Sequence, residues 1–258
     1  MTPAPSLRIV AAAGSLAVLA IASPSIAQDR DEFVPKGGAY VAILAGVTSP
    51  TDGDFSGIQD PQGNAPGAAG AAANVRAEYD DAFQGAVALG YRIPKRVFSL
   101  FQPSVELEYS RFSADVSAGS FNGGNQTFAG GADVSVYAVN YQSDIRWSTD
   151  QRVIPFLGSG IGVADVGADL AYFPNNGIAS APTFAVRDGD TGLYLQSNAG
   201  VTFVINDTAD FNTRLRYQRV SGLDLDRRFV AGGADDRNAE LEGQFETVSL
   251  LAGVRFRF

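Results

Sequence analysis

The chain has 258 residues, 45% of them hydrophobic, a formal net charge of −9, and neither cysteine nor histidine. Without cysteine there is no disulfide framework, no thiolate-held metal and no lipid anchor of the kind that needs an N-terminal cysteine. The acidic balance offers no basic stripe to nucleic acid, and without histidine no Ser-His or Asp-His pair can move a proton.

Residues 1–27 read as a secretory signal. Arg8 is their only charge, residues 9–21 are apolar and alanine-rich, and Ser25-Ile26-Ala27 is a small-x-small cleavage site. Cleavage there predicts a mature chain starting at Gln28, with residues 28–37 as a short lead-in. Losing Arg8 takes the net charge from −9 to about −10. The apolar run is too short to span a bilayer, and no later stretch reaches the roughly 18 apolar residues of a spanning helix. An exported chain of this kind enters a membrane only as a closed barrel.

Residues 38–47 are the first strand candidate. Both faces are apolar or small, and the expected register points Val41, Ile43 and Ala45 outward. Residues 80–92 set Phe83, Val87, Leu89 and Tyr91 against Ala82, Gln84, Ala86 and Ala88. Residues 102–112 set Val105, Leu107 and Tyr109 against Ser104, Glu106, Glu108 and Ser110. Residues 133–147 set Tyr137, Val139, Tyr141, Ile145 and Trp147 against Ala138, Asn140, Gln142, Asp144 and Arg146. In residues 153–166, Leu157, Ile161 and Val163 oppose Gly158, Gly160 and Gly162. In residues 190–205, Leu193, Leu195, Val201 and Phe203 oppose Tyr194, Gln196, Asn198 and Thr202. In residues 210–220, Phe211, Leu215 and Tyr217 oppose Asn212, Arg214, Arg216 and Gln218. The closing stretch, 244–258, sets Val248, Leu250, Ala252, Val254, Phe256 and Phe258 against Thr247, Ser249, Leu251, Gly253, Arg255 and Arg257. Each is the period-two alternation of a half-buried strand.

Residues 48–79, 113–132, 167–189 and 221–243 lack that period and are expected as long loops. Residues 93–101, 148–152 and 206–209 are short connections. Long and short connections alternate along the chain. The fold class expected is all-β: an eight-stranded antiparallel up-and-down transmembrane β-barrel over residues 38–258, with four long extracellular loops and short periplasmic turns.

A soluble lipocalin-like secreted carrier also has eight alternating strands, with its faces reversed. Two features favour the membrane form. The polar face carries Glu106, Glu108 and Asp144 against Arg146, Arg214, Arg216, Arg255 and Arg257. An eight-stranded barrel is just wide enough for side chains to fill, and buried charge is tolerable only when paired. The apolar face carries aromatics at both ends: Phe83 and Tyr91 lie eight residues apart, Tyr137 and Trp147 ten. At about 3.3 Å per residue and a tilt near 40°, those spans are roughly 20–25 Å along the membrane normal, the height of an apolar band between two aromatic girdles. Tyr109 and Tyr217 belong to the same expected girdles, although Phe211 and Tyr217 are only six residues apart.

Over residues 37–258 the sequence resembles the OmpA-like outer-membrane β-barrel family, the small eight-stranded barrels of Gram-negative bacteria. The resemblance is carried by G-A-Y-V-A-I-L-A-G at residues 38–46, P-F-L-G-S-G-I-G at 155–162 and G-V-R-F-R-F at 253–258. It implies an outer-membrane location, with lipid around the barrel and the last strand closing on the first. It also implies that Val254, Phe256 and Phe258 form a signal read by the barrel-assembly machinery during insertion. Some members carry a peptidoglycan-binding domain after the barrel. Here the eighth strand is the last, so that anchoring role is not expected. Enzymes among such barrels, as a class, act on acyl chains or peptides, usually with a histidine base, so no enzyme is expected.

Other candidates carry blander readings. Glu106 and Glu108 are two residues apart on one face, about 7 Å along a strand, near the separation of glycosidase carboxylates; paired network groups are the expectation. No helix follows Gly158, Gly160 and Gly162, so they are expected to mark curvature and not a phosphate loop. Asp224, Asp226, Asp235 and Asp236, like Asp52 and Asp54, lack full calcium-loop spacing and are expected as solvated charge. No metal or cofactor is expected. The function expected is a structural or surface-interaction role in the outer membrane, with the loops meeting surface ligands. The alternative is a narrow porin-like path, weakly anion-selective if Arg214, Arg216, Arg255 and Arg257 are unpaired.

Overall fold

A computed structural model describes residues 36–258, apart from 52, 125, 149 and 175–180. The signal expected at 1–27 and most of the lead-in 28–37 lie outside the described residues. Among the described residues, no helix is long and apolar enough to cross a membrane. The strands are β1 (Gly38–Pro50), β2 (Gly53–Gln59), β3 (Val75–Tyr79), β4 (Ala82–Arg92), β5 (Phe101–Phe121), β6 (Gln126–Ile145), β7 (Val153–Pro174), β8 (Phe184–Val204), β9 (Ala209–Phe229) and β10 (Asp236–Arg257).

All pairings are antiparallel. β1, β4, β5, β6, β7, β8, β9 and β10 follow one another around a ring. β1 closes it on β10, from Tyr40 opposite Arg257 to Pro50 opposite Thr247. Closure gives each strand of the ring a partner on both sides, with a break in the ladder between Val186 and Leu193 of β8. Above β1 and β4 the two short strands take over their places: β2 pairs with β10, β3 with β5, and β2 with β3. The wall therefore rises in two storeys, a lower one at the end of the short turns after β4, β6 and β8, and an upper one below the tips.

Polarity reverses between the storeys. In the lower storey large apolar side chains point out: Ile43, Leu89, Leu107, Val139, Ile161, Leu195, Leu215 and Leu250 are all exposed. Its inner face holds amides, hydroxyls and charges, among them Gln84, Glu108, Asn140, Gln196, Arg216 and Ser249. In the upper storey the inner face holds Phe55, Val75, Phe112, Phe128, Val134, Val166, Leu170, Leu223, Leu241 and Phe245. The switch on the outer face is abrupt. Going up the strands, the band of large apolar outward residues ends at Val47, Phe83, Tyr109, Tyr137, Val163, Leu193, Tyr217 and Val248. The next outward residues are Ser49, Asp81, Arg111, Ser135, Asp165, Thr191, Arg219 and Glu246. Within each hairpin the last apolar pair is in register: Val47 with Phe83, Tyr109 with Tyr137, Val163 with Leu193, and Tyr217 with Val248.

This reversal corrects the expectation of long loops. Residues 113–132, 167–189 and 221–243 are largely strand, holding the upper parts of β5 to β10, and 48–79 is nearly half strand, holding the end of β1 and all of β2 and β3. In the described residues the tips shrink to 60–74, 122–124, 181–183 and 230–235. Alternation persists there with its sense inverted, and bulges interrupt its parity. On β9 the inward residues run Arg216, Gln218, Val220 and then Leu223, Leu225. Gly222, at φ +73, is the extra residue, since Ser221 faces Gln244 while Leu223 faces Gly243. On β1 the outward register is as expected, with Ile43 exposed and Tyr40, Ala42 and Leu44 inside.

Candidate functional site

The lumen is the place where polar chemistry concentrates, and it is tiered. In the middle of the lower storey two carboxylates meet two guanidiniums. Arg216 on β9 donates from Nη1 and Nη2 to the two oxygens of Glu108 on β5, at 2.6 and 2.7 Å. Its Nε donates to Asn198 at 3.0 Å. Arg214 lies 3.7 Å from Glu106 and 3.6 Å from Glu108. Asn140 donates to Glu108 at 3.1 Å, and the Tyr40 hydroxyl donates to Glu106 at 2.9 Å. Tyr40 reaches Glu106 by lying over Gly90, where a Cβ would stand 2.3 Å from its Cζ. Fork-to-carboxylate pairing of this kind is strong and directional. Neither glutamate is left as an open acid or base.

Toward the turn end a second cluster forms. Arg92 lies 3.0 Å from Asp144 and 3.9 Å from Asp210, and Arg255 and Arg257 each approach Asp210 to 3.1 Å. Gln142 donates to Asp144 at 2.8 Å, while Arg146 comes only to 4.0 Å of it. Above the glutamates lies a neutral tier. Gln218 accepts from the Tyr194 hydroxyl at 2.7 Å and donates to Thr247 at 2.7 Å and Ser249 at 3.0 Å; Ser249 donates to Thr48 at 2.8 Å. Above that sits the apolar core of the upper storey. Among the described residues it holds one buried cation, Arg227, with its guanidinium 4.0 Å from the Phe121 ring centre and its Nε donating to Asn238 at 2.9 Å. Burial pushes the Arg227 guanidinium down to about 10.

The sequence-predicted network residues Glu106, Glu108, Asp144, Arg146, Arg214, Arg216 and Arg255 are all buried inside, and Arg257 lies half-buried at the turn end. Sequence reasoning missed Arg92, Asp210 and Tyr40. Arg92 continues the inward parity of Gln84 and Ala88, and Asp210 that of Asn212, so strand parity carried the signal. Phe83, Tyr91, Tyr109, Tyr137, Trp147 and Tyr217 all point outward and are exposed, as are Phe256 and Phe258; Val254 is half-buried on the same face. The outward ring also includes Tyr141, Phe203 and Phe211. Gly160 faces Asn140 and Gln196, and a Cβ there would collide with both amides, so this glycine makes room for the lumen's polar side chains. Asp226 and Asp235 engage Arg228 at 3.4 and 2.6 Å, and Asp236 accepts from the Asn64 amide at 3.0 Å. Asp224 is exposed, and Asp52 lies outside the described residues.

No protein-family model matches the chain, and no curated protein does. Solved structures do. Neisserial surface protein A is 15% identical, with 87% of this chain and 100% of that chain covered and a TM-score of 0.39. The outer-membrane protein OprG from Pseudomonas aeruginosa is 14% identical, covering 86% and 96%, with a TM-score of 0.46. The outer-membrane protease OmpT from Escherichia coli is 8% identical, covering 88% and 100%, with a TM-score of 0.48. The structural neighbours of this chain are small outer-membrane β-barrels.

Proposed function

We propose that this protein is an integral outer-membrane barrel with a sealed lumen, serving a structural or surface-interaction role and not catalysis or transport. One observation carries the reading: the outer face changes from apolar to polar on every strand of the ring, at positions in register within each hairpin. A lipid boundary needs that pattern, because hydrocarbon solvates the lower face and water the upper one. A soluble carrier would keep its lower apolar groups inside, so the exposure of Leu107, Val139, Leu195 and Phe256 speaks against it.

In this orientation the short turns face the periplasm and the upper storey stands outside the cell. Residues 38–258 form the membrane barrel behind a cleaved signal at 1–27. Phe256 and Phe258, facing lipid on β10, serve the assembly machinery as the insertion signal. The upper wall is acidic. Asp115, Asp133, Asp165, Asp169, Glu240 and Glu242 lie outward on it, and carboxylates far outnumber arginines there. That surface fits a basic or cation-bridged surface ligand.

The porin-like alternative needs an open path. The fully buried Arg214 and Arg216 and, above the neutral tier, the apolar upper core occupy the lumen at separate levels. Planar-bilayer recording tests the sealed reading: purified barrel is expected to give no single-channel events. Regular openings, abolished by filling the lumen further, would replace it with the pore.

A further inference from the structure

We infer that the turn end of the lumen is a binding site for a protonated oxyanion, hydrogen phosphate being its simplest form. Four guanidiniums, from Arg92, Arg146, Arg255 and Arg257, converge there on only two carboxylates, Asp144 and Asp210. The middle tier is the internal control. Glu106 and Glu108 balance Arg214 and Arg216, and none of those four side chains has a buried polar atom without a hydrogen bond.

At the turn end such atoms accumulate. Arg92 Nε and Nη2, Arg146 Nε, Arg255 Nη1 and Arg257 Nε are buried donors with no aligned acceptor. Arg92 is 3% exposed and Arg255 1%. A dry guanidinium has only donors to offer, so an acceptor of negative charge is what completes it. Its planar fork matches the oxygens of a tetrahedral oxyanion.

The two acids refine the chemistry. Asp144 Oδ2 and Asp210 Oδ1 lie within ion-pair reach of arginine, yet neither accepts an aligned hydrogen bond. A fully ionised anion would repel them. Hydrogen phosphate carries one hydroxyl that donates to such a carboxylate while its remaining oxygens accept from the arginines. Sulfate, fully ionised near neutral pH, has no such hydroxyl. The site therefore selects phosphate, or a phosphomonoester, over sulfate. Entry is from the turn end, where Arg257 keeps 21% of its side chain exposed and Arg146 10%. The site does not depend on the membrane reading above.

The test is titration of the purified, refolded full barrel with inorganic phosphate, and in parallel with sulfate and chloride at matched ionic strength and neutral pH. Calorimetry reads binding, and phosphorus NMR line width confirms it. Saturable phosphate binding is expected, about tenfold or more tighter than sulfate. Arg146→Gln should weaken it by a similar factor without unfolding the barrel, because Asp144, 4.0 Å from Arg146, keeps Arg92 at 3.0 Å and Gln142 at 2.8 Å. Arg111→Gln, on the outer wall, should leave it unchanged. Equal responses to all three anions, an adventitious ion only, or a wild-type affinity in Arg146→Gln would each overturn the inference.

Discussion

Replacing Arg216 with methionine isolates the energetics of the ion pairs inside the barrel. The substitution keeps most of the side chain's length and removes the fork that binds Glu108 at 2.6 and 2.7 Å. Glu108, 4% exposed, then keeps Asn140 at 3.1 Å and Arg214 at 3.6 Å as its remaining partners. Removing one member of a buried ion pair costs about 3–5 kcal/mol, chiefly through the charge left behind. Arg214 offsets part of that, which places the expected cost near the lower end, about 3 kcal/mol. Removing both charges together, as in the Glu108→Leu, Arg216→Met double variant, leaves no stranded carboxylate. Apolar replacement of a whole buried pair is close to neutral, so the double variant should lie within about 1 kcal/mol of the parent. Urea unfolding of the refolded barrel, followed by the fluorescence of Trp147, its single tryptophan, measures both. A single variant costing under about 1 kcal/mol, or a double variant worse than the single, would refute the reasoning.

Two further outcomes follow from the same geometry. Gly90→Ala places a Cβ 2.3 Å from Tyr40 Cζ, so it should push the Tyr40 hydroxyl off Glu106. The cost is expected at about 1–3 kcal/mol by urea titration, against none at a glycine with open space such as Gly85. At the upper tip, the Arg228 guanidinium donates to Asp235 at 2.6 Å and holds its carboxyl below the usual carboxylate range. A carboxylate depressed by folding stabilises above its unfolded pKa, and that contribution fades as pH falls through the folded value. Asp235 should therefore titrate below its ordinary 3.8 by NMR, and Arg228→Gln should bring it back up; an unchanged midpoint in the variant would contradict the pairing.

The lower storey was legible in the sequence because each strand there alternates in one sense. β10 shows this plainly, with Leu250, Phe256 and Phe258 out and Ser249 and Arg255 in. The upper storey was not legible for a physical reason. Once the surroundings change, the apolar residues belong inside, so Leu223 and Leu225 look like noise against the pattern of Leu215 and Tyr217. Gly222 then shifts the parity, and small inward residues such as Ala114 and Ala132 hide the alternation of β5 and β6. The lumen was half legible. Parity places Arg92 and Asp210 inside with their neighbours, but pairings across the lumen, such as Arg216 with Glu108, depend on which strands face each other around the ring. The surplus of arginine was already present among the network residues, five against three acids, but its concentration at the turn end depends on which side chains meet there.

The reversal of solvent along the wall is open to a direct measurement. The chain has no cysteine, so single cysteines can be placed and spin-labelled along the outward face of β6, at residues 129, 133, 135, 137, 139 and 141, in lipid vesicles. Residues 139 and 141 should be accessible to dissolved oxygen and shielded from a polar nickel chelate. Residues 129 and 133 should show the opposite, with the crossover between 135 and 137. Uniform access of the chelate along the whole face would contradict a lipid boundary at Tyr137.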